Sequence, residues 1–283
     1  MSILVDFNQI MIATYMSQVG NHANMKIDEN LFRHMAVNTI RANKMKFHQY
    51  GEMILCSDNT NFWRKDIFPY YKAHRQKDRE KSDVDWNDLF RLLNMVRDEF
   101  KEYLPYKVLH IPRAEADDII GSIVYKKGSQ LNAGENILIL SGDKDFKQLQ
   151  MFGNVSQYDP VRKRWIKEND PHNYLYEHII KGDKGDGIPN VLMPDDAFIT
   201  NQRQKPITKK RLELFQDINN MDDEVKRNYE RNRHLICLCK IREDIKTAIL
   251  EEYEKENTKD RSRLLEYFHD YKLKNLVESI NDF

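Results

Sequence analysis

The chain has 283 residues and a mass of 33.9 kDa, and its 45 Lys and Arg balance its 45 Asp and Glu. This length fits one large domain or two modest ones. No apolar run approaches the ~18 residues that span a membrane, and Asp6 interrupts the apolar start, so we expect neither a membrane protein nor a signal peptide. Three cysteines are too few for a disulfide framework or a zinc site, which indicates a reducing cytoplasm.

The first half of the chain alternates strand patterns with helical patterns. Short apolar runs predict strands at Ser2–Asp6, Met53–Ser57, Lys107–Ile111 and Asn136–Leu140. Apolar residues at helical spacing predict helices over Leu31–Lys46, Trp86–Leu104 and Ala116–Lys126. A late pair of edge strands is predicted at Val155–Tyr158 and Arg164–Ile166. This alternation indicates an α/β fold in which helices flank a mostly parallel central sheet.

The composition changes in the second half of the chain. Gly187 is the last glycine, and Asp222–Phe283 is rich in charged residues and leucine at helical spacing. We therefore predict an α/β core over residues 1–170 and a helical lobe over residues 171–283. Within the core, Trp63–Asp85 carries many charges and no clear apolar stripe, which predicts an exposed excursion.

Carboxylates recur where the predicted strands end. In chain order they are Asp6, Asp58, Glu115, Asp117, Asp118, Asp143 and Asp145. A single acid after a strand is commonly a turn residue or a helix cap, but ligands bind at the carboxyl ends of parallel strands, where all of these acids would meet. Crowded carboxylates raise one another's pKa and need cations to neutralise them. Oxygen ligands of this kind suit Mg²⁺ or Mn²⁺, so the joint pattern favours a metal site.

Two further acids, Asp183 and Asp186, lie in the glycine-rich segment His178–Pro189. The segment is neither a phosphate-binding P-loop nor a dinucleotide fingerprint, because the glycine spacing of both motifs is missing. Taken alone, it fits an ordinary turn between two helices as well as a functional site.

Six segments of the chain together resemble the flap endonuclease and 5′-nuclease superfamily, and within it the ribonuclease H (5′→3′ exonuclease) group of T-even phages. The segments are LVDFNQI around Asp6, LCSDN around Asp58, FPYYKAHR around Lys72, RAEADDII around Glu115, SGDKDFKQL around Asp143 and KGDKGDGIP around Asp183. They occur in the family order and at family-like spacing. The resemblance covers essentially the whole chain.

The resemblance implies a PIN-like nuclease core with a helical arch at about residues 62–86. It implies a C-terminal DNA-binding lobe that contains a helix-three-turn-helix-like element. The implied enzyme is a phosphodiesterase that uses two Mg²⁺ ions, for which Mn²⁺ can substitute. It would remove RNA primers and 5′ flaps in phage lagging-strand replication, acting on DNA and RNA–DNA hybrids with 5′ ends or flaps. We expect a monomer in the bacterial host cytoplasm, with a single-strand-binding protein and a sliding clamp as partners.

The family motifs also imply roles for individual residues. Metal ligands are expected at the seven strand-end acids and, for a more weakly held second ion, at Asp183 and Asp186. Catalytic roles are expected for Asp143, Lys72 and Arg75; the last two are three residues apart and would share one face of a helix. Nucleic-acid contacts are expected from basic and aromatic residues of the arch and from a later basic cluster: Arg64, Lys65, Tyr71, Lys72, Arg75, Lys77, Arg79, Lys81, Lys205, Lys209, Lys210 and Arg211.

One departure from the family pattern concerns the segment that follows Asp186. Gly187 stands where the wider family has Asn, and residues 190–204 lack the glycine-rich turn that grips duplex phosphates. For this reason the later basic cluster is expected to replace that turn.

Two alternative functions make different demands on the sequence. A PIN-type RNA endonuclease would lack both the arch and the KGDKGDGIP segment, which are present here. A catalytically weak module that binds branched DNA would have lost one or more of the site acids, and all nine are present.

Overall fold

The structure, a computed structural model, describes residues 1–19, 27–128 and 135–283. Its centre is a six-stranded sheet in the order β3-β2-β1-β4-β5-β6, parallel throughout except for the antiparallel pair β5–β6. The strands are β1 (Ser2–Asp6), β2 (Glu52–Cys56), β3 (Lys107–Leu109), β4 (Ile137–Leu140), β5 (Val155–Asp159) and β6 (Arg164–Ile166). The predicted fold class is confirmed, and every predicted strand is present to within two residues at each end.

The register of the sheet explains why the strand-end acids meet. Asp6, the last residue of β1, is level with Cys56 at the end of β2, and Val5 is level with Leu140 at the end of β4. Because these neighbouring strands are parallel, the residues that follow them leave the sheet at the same edge. Because β1 is buried along its whole length, the packing on both faces of the sheet holds its end in place.

Helices cover both faces of the sheet and continue to the C-terminus. They are α1 (Phe7–Val19), α2 (Glu29–Lys46), α3 (Arg64–Ile67), α4 (His74–Glu80), α5 (Trp86–Tyr103), α6 (Ala116–Gly128), α7 (Pro171–Lys181), α8 (Lys209–Phe215), α9 (Asp223–Ile236), α10 (Glu243–Glu254) and α11 (Leu264–Asp270). Asp28 and Asp85 cap α2 and α5 by accepting hydrogen bonds from the backbone N–H of Leu31 and Asp88. None of the described helices is long and apolar enough to cross a bilayer.

The hydrophobic packing does not follow the predicted division at residue 170. Tyr267, Phe268 and the C-terminal Phe283 belong to the same buried cluster as α1, α2 and α5, whereas Ile245 and Ile249 of α10 pack with α6 on the other face. Between these extremes, α7, α8 and α9 build smaller apolar clusters of their own. The last part of the chain thus supports the α/β core directly.

The segment Trp63–Asp85 combines a buried first half with an exposed second half. Trp63 and Phe68, which flank α3, are each 1% exposed, so they anchor the segment to the protein. No residue of α4 is buried. The predicted exposed excursion is therefore correct for α4 and wrong for the part around α3, where the apolar anchors are too few to form a periodic stripe.

Candidate metal and nucleic-acid site

A single cavity of about 580 Å³ opens at the edge of the sheet where β1, β2 and β4 end. Five of the predicted metal ligands line it: Asp6, Asp58, Glu115, Asp117 and Asp143. Lys72 and Arg75 line it as well. The structure thus brings acids from four separate chain segments to one place, together with two of the predicted catalytic cations.

Polar residues that are not acids hold these carboxylates in position. The Ser141 hydroxyl donates to Asp6 Oδ2 over 2.9 Å and accepts from the Asp143 backbone N–H over 3.0 Å, so one side chain links two strand ends. Asp58 Oδ1 accepts from the Ala116 backbone N–H over 2.8 Å. Gln9 Oε1 accepts from the Gly142 backbone N–H over 3.1 Å and fixes the loop after β4.

Burial and mutual repulsion make the charged forms of these carboxylates unfavourable. Burial, with Asp58 and Asp143 nearby, raises the pKa of Asp6 to about 8. Burial and the charge of Glu115 raise the pKa of Asp58 to about 6. The pKa of Asp117 is raised well above its ordinary value by burial and then by Asp143. A divalent cation would reverse these shifts, and the oxygen-only donor set fits Mg²⁺ or Mn²⁺.

Lys72 and Arg75 supply positive charge on the side of the cavity formed by the arch. Lys72 Nζ forms a short ion pair with Glu115 Oε1 and lies 3.5 Å from Asp186 Oδ1, while Arg75 Nη2 lies 2.7 Å from the same Asp186 oxygen. Burial opposes the charge on Lys72, but Asp186 and Glu115 outweigh it and raise the pKa of this lysine. Lys72 and the buried Arg64 together overcome burial and lower the pKa of Glu115.

The backbone around Lys72 differs from the expected helix. Lys72 has a φ of 57° and precedes α4, whereas Arg75 lies within it. The two side chains converge because both meet Asp186, and not because they share a helix face. Gly187 has a φ of 71°, and a Cβ there would lie 2.7 Å from His74 Nδ1, so the turn and the arch approach closely only with glycine at this position.

A second group of ionisable residues lies beside the first and combines Asp145, His178 and Asp183. One ligand atom of each lies within 4.8 Å of the others. Burial raises the pKa of Asp183, but His178 and Lys144 outweigh it, so the pKa of this carboxyl lies below its ordinary value. Burial and the charges of Asp143 and Asp183 hold the pKa of Asp145 well above its ordinary value.

The sequence as a whole matches known nucleases. Residues 1–177 match the 5′-3′ exonuclease N-terminal resolvase-like domain family, and residues 171–283 match the T4 RNase H C-terminal family. The chain is 33% identical to the ribonuclease H of Enterobacteria phage T4 over 294 aligned residues, which cover 99% of this chain and 95% of that protein. It is 26% identical to a 5′-3′ exonuclease of Buchnera aphidicola, over 83% of this chain and 82% of that protein.

The chain belongs to the 5′-3′ exonuclease family. Its fold is also that of a bacteriophage T5 flap endonuclease solved with DNA and metal ions, at a TM-score of 0.63 and 18% identity over 90% of this chain and 99% of that one. A T5 5′-exonuclease solved with zinc ions has a TM-score of 0.60, 20% identity and the same coverage of both chains.

Three residues of this exonuclease lie too deep for their predicted roles. Asp118 is fully buried and accepts hydrogen bonds from Trp63 Nε1 and Arg64 Nη1, each over 3.0 Å, so we reassign it from metal ligand to structural acid. Arg64 is 3% exposed and also donates to Glu115 Oε2 over 2.8 Å, which leaves no surface for a phosphate. Tyr71 is 1% exposed and its hydroxyl lies 2.9 Å from Glu115 Oε2 and 2.8 Å from Asp186 Oδ2, so its ring has no free face for a base.

The remaining predicted nucleic-acid residues of this exonuclease lie on its surface. The exposed ones are Lys65, Lys77, Arg79, Lys81, Lys205, Lys209, Lys210 and Arg211. Arg79 has a further contact, because its guanidinium lies 4.7 Å from the centre of the Phe90 ring and 5.4 Å from that of Trp86. It therefore joins the arch to the start of α5.

Sequence reasoning missed three kinds of residue at the site. Asn8 and Gln9 line the cavity from the start of α1, and they stand beside Asp6 in the LVDFNQI segment, where a polar pair in an apolar helix was an available signal. Trp86 also lines the cavity, but it fits the apolar period of α5 and so looked like a core residue. His178 carried no spacing signal toward Asp145 or Asp183.

Proposed function

We propose that this chain is a two-metal-ion 5′→3′ exonuclease and flap endonuclease with ribonuclease H activity. The observation that carries the proposal is the convergence of Asp6, Asp58, Glu115, Asp117 and Asp143 on one cavity beside Lys72 and Arg75. Membership of the 5′-3′ exonuclease family supports the reaction class, a phosphodiester hydrolysis. The proposed substrates are DNA and RNA–DNA hybrids with 5′ ends or flaps, processed during phage lagging-strand replication.

The proposed cofactors are two Mg²⁺ ions, for which Mn²⁺ can substitute. The five cavity acids would hold the first ion, and the acids around the glycine turn, Asp145, Asp183 and Asp186, would form the surroundings of the second. Bound divalent ions activate water, neutralise the scissile phosphate and stabilise the leaving oxygen. The fit rests on the donor set: among the described residues, the structure records no hydrogen bond to the Asp117 carboxylate, and burial, followed by the charges of Asp143 and Asp6, raises its pKa well above the ordinary value.

The chain's own cations would bind and orient the scissile phosphate. Lys72 and Arg75 line the cavity and are paired with carboxylates of its wall. A phosphate entering the cavity offers oxygens that can replace those carboxylates as partners. Because phosphodiester cleavage increases negative charge on the phosphate, positive groups at this position would stabilise the transition state as well as the bound strand.

We propose that residues 1–170 form the nuclease core, and that residues 171–283, which also contribute Asp183 and Asp186 to the second ion site, bind duplex through the exposed Lys205, Lys209, Lys210 and Arg211. We also propose that the protein works as a monomer in the bacterial host cytoplasm, beside a single-strand-binding protein and a sliding clamp. The support for these partners is the resemblance to phage replication nucleases.

The test is digestion of 5′-labelled flap, nicked-duplex and RNA–DNA hybrid substrates with Mg²⁺ and with EDTA. We expect products released from the 5′ end with Mg²⁺ and none with EDTA. Binding of all three substrates without cleavage in Mg²⁺ or Mn²⁺ would favour the branched-DNA-binding alternative. Cleavage restricted to internal positions of single-stranded RNA would favour the PIN-type RNA endonuclease.

A further inference from the structure

His178 occupies an unusual position between two of the site acids. It is 7% exposed and lies near the end of α7, immediately before the glycine turn. Its Nε2 lies 2.9 Å from Asp183 Oδ2, whereas its Nδ1 is buried without a hydrogen-bond partner among the residues that the structure describes. An unpartnered ring nitrogen in a buried site is costly unless something binds it.

The free nitrogen faces a free oxygen. His178 Nδ1 lies 3.7 Å from Asp145 Oδ1, and that oxygen is also buried with no hydrogen-bond partner in the described part of the chain. The separation is too long for a hydrogen bond. It suits two ligands of one cation, since metal–ligand bonds of roughly 2.0–2.2 Å place neighbouring ligand atoms about 3–4 Å apart.

Asp183 has the contacts of an outer carboxylate. Its Oδ1 accepts from the backbone N–H groups of Gly185 and Asp186, over 2.7 and 3.3 Å. Its Oδ2 accepts from His178 Nε2 over 2.9 Å and from Lys144 Nζ over 3.0 Å. Because these four donors occupy the usual four lone-pair sites of a carboxylate, Asp183 has little capacity left for a cation.

The same contacts select one form of the imidazole. A proton on Nε2 satisfies Asp183, and Nδ1 then keeps its lone pair, which is the form that binds metals. A histidine that donates one nitrogen to a carboxylate and offers the other to a metal is a recurrent arrangement in metalloproteins. The Asp183 carboxylate would fix both the tautomer and the ring orientation.

We propose that His178 is a nitrogen ligand of the second divalent ion, that Asp145 is the carboxylate ligand beside it, and that Asp183 is a positioning residue that orients the His178 ring. This inference rests on the proposed function, because it concerns the second of its two ions. An imidazole ligand favours first-row transition metals, Zn²⁺ strongly and Mn²⁺ less so, over Mg²⁺. The two ion sites should therefore differ in metal preference as well as in affinity.

The direct test is pulsed electron paramagnetic resonance of the intact protein with two equivalents of Mn²⁺ and no nucleic acid. We expect nitrogen-14 modulation from one coordinated imidazole, absent from the His178→Gln protein. His172→Gln is the matched control, since His172 is exposed on the same helix, and it should retain the modulation. Wild-type protein that binds two Mn²⁺ ions without nitrogen-14 modulation would overturn the proposal, and this result needs no variant to fold.

Calorimetric metal titration supplies a second readout. Loss of a residue that hydrogen-bonds to a metal ligand typically lowers metal affinity roughly 10–100-fold. We expect His178→Gln to lower the affinity of the second site for Mn²⁺ by at least this factor, and its affinity for Mg²⁺ by less. An equal loss of affinity for Mn²⁺ and for Mg²⁺ would indicate that His178 has only a structural role and would contradict the proposal. Cleavage assays on flap DNA separate this inference from the proposed function. Nitrogen-14 modulation without cleavage would contradict the proposed function but not the His178 ligand. Cleavage without modulation would contradict the His178 ligand but not the proposed function.

Discussion

The strand-end acids and the glycine-turn acids form two carboxylate groups that the protein neutralises to different extents. At the strand ends, Asp6, Asp58 and Asp117 have raised pKa values, because burial and mutual repulsion outweigh the hydrogen bonds and the nearby positive charge that stabilise their ionised forms. At the glycine turn, Asp183 is already paired with His178 and Lys144. The strand ends therefore need an external cation, whereas the chain itself neutralises much of the charge at the glycine turn.

The two groups also differ in what carries them. Asp6 belongs to a fully buried central strand, so its position is set by the sheet. Asp183 and Asp186 belong to a turn whose backbone is held to the arch by hydrogen bonds from the Lys72 backbone N–H to the Asp186 carbonyl and from Arg75 Nε to the Gly185 carbonyl, with further side-chain contacts to Asp186. We infer that the strand ends hold a tight ion and the glycine turn a looser one.

Asp143→Asn should give the largest effect, because this substitution removes a charge from the rigid group without changing its size. We expect cleavage of a 5′-flap substrate to be abolished in single-turnover assays with saturating Mg²⁺. Asp270→Asn is the control, since Asp270 is exposed at the end of α11, and it should cleave like the wild type. Wild-type cleavage by Asp143→Asn would remove the basis for assigning the tight ion to the strand ends.

The positions of the strand-end acids were predictable, whereas their partners were not. Each acid follows an apolar run, and parallel topology alone brings such positions to one edge. Asp118 follows the same rule, and yet its role is structural. It accepts hydrogen bonds from Arg64 and Trp63, which lie more than 50 positions earlier in the chain. In the sequence, Arg64 was one of several basic residues in the arch, and nothing local marks it as buried.

The helix α1 shows a second limit of sequence reasoning. Apart from a few polar positions, Phe7–Val19 has no clear polar face, and it follows β1 with no intervening turn. Periodicity cannot locate a helix that is apolar on most sides. The contact of His178 with Asp145 was also unpredictable, because it depends on how α7 packs against the loop after β4.

Lys72→Ala tests whether the arch cations act in chemistry or only in binding. We expect the single-turnover rate to fall on the order of 10²-fold, as for the loss of one group that stabilises transition-state charge. Substrate binding, measured in Ca²⁺, should weaken less. Arg75→Ala should behave in the same direction, since both side chains reach Asp186. Full recovery of the Lys72→Ala rate at saturating enzyme would show that Lys72 is only a phosphate tether.

Asp186→Asn probes the looser ion. Asp186 Oδ1 pairs with Arg75 over 2.7 Å, so the substitution removes a charge that both the arch and the second ion use. We expect DNA binding to persist while cleavage requires about 10–100-fold more Mg²⁺ for half-maximal rate. The Mg²⁺ dependence of single-turnover cleavage measures this. An unchanged Mg²⁺ requirement would show that Asp186 serves only to anchor the arch.

Metal removal should make stability depend on pH in a direction set by the strand-end acids. The pKa of Asp6 is about 8 in the folded protein, against an ordinary value of 3.8, so the folded state retains a proton that the unfolded chain has lost. The contribution of Asp6 to the free energy of unfolding is fully present below its ordinary pKa of 3.8 and is lost as the pH rises toward 8. In EDTA we expect Tm to fall between pH 6 and pH 8, by about 2–4 °C for each kcal/mol.

Two controls isolate this effect. Mg²⁺ should flatten the fall, because bound cations favour the ionised carboxylates. Asp6→Asn should also flatten the fall in Tm in EDTA, which separates the contribution of Asp6 from that of any other group that titrates in this pH range. Glu115 and Asp183 have lowered pKa values, so their contributions change only at more acidic pH. A Tm in EDTA that rises from pH 6 to pH 8 would contradict the assignment of unneutralised acids to the strand ends.

Lys77→Ala and Lys81→Ala should give the smallest effect, since both residues are exposed on the arch and neither is among the residues that line the cavity. Within residues 1–19, 27–128 and 135–283, Lys77 Nζ has only a long contact of 3.5 Å to the Ile199 carbonyl, so its charge is available for a phosphate. Each substitution should weaken flap binding uniformly across sequences and reduce the slope of log K against log salt by about 1. Single-turnover rates at saturating enzyme should stay at the wild-type level. Lys167→Ala, at an exposed lysine just after β6, is the matched control. If Lys77→Ala lowers the saturated rate as much as Lys72→Ala, the arch cations act as one catalytic group, and the distinction between its base and its exposed part is lost.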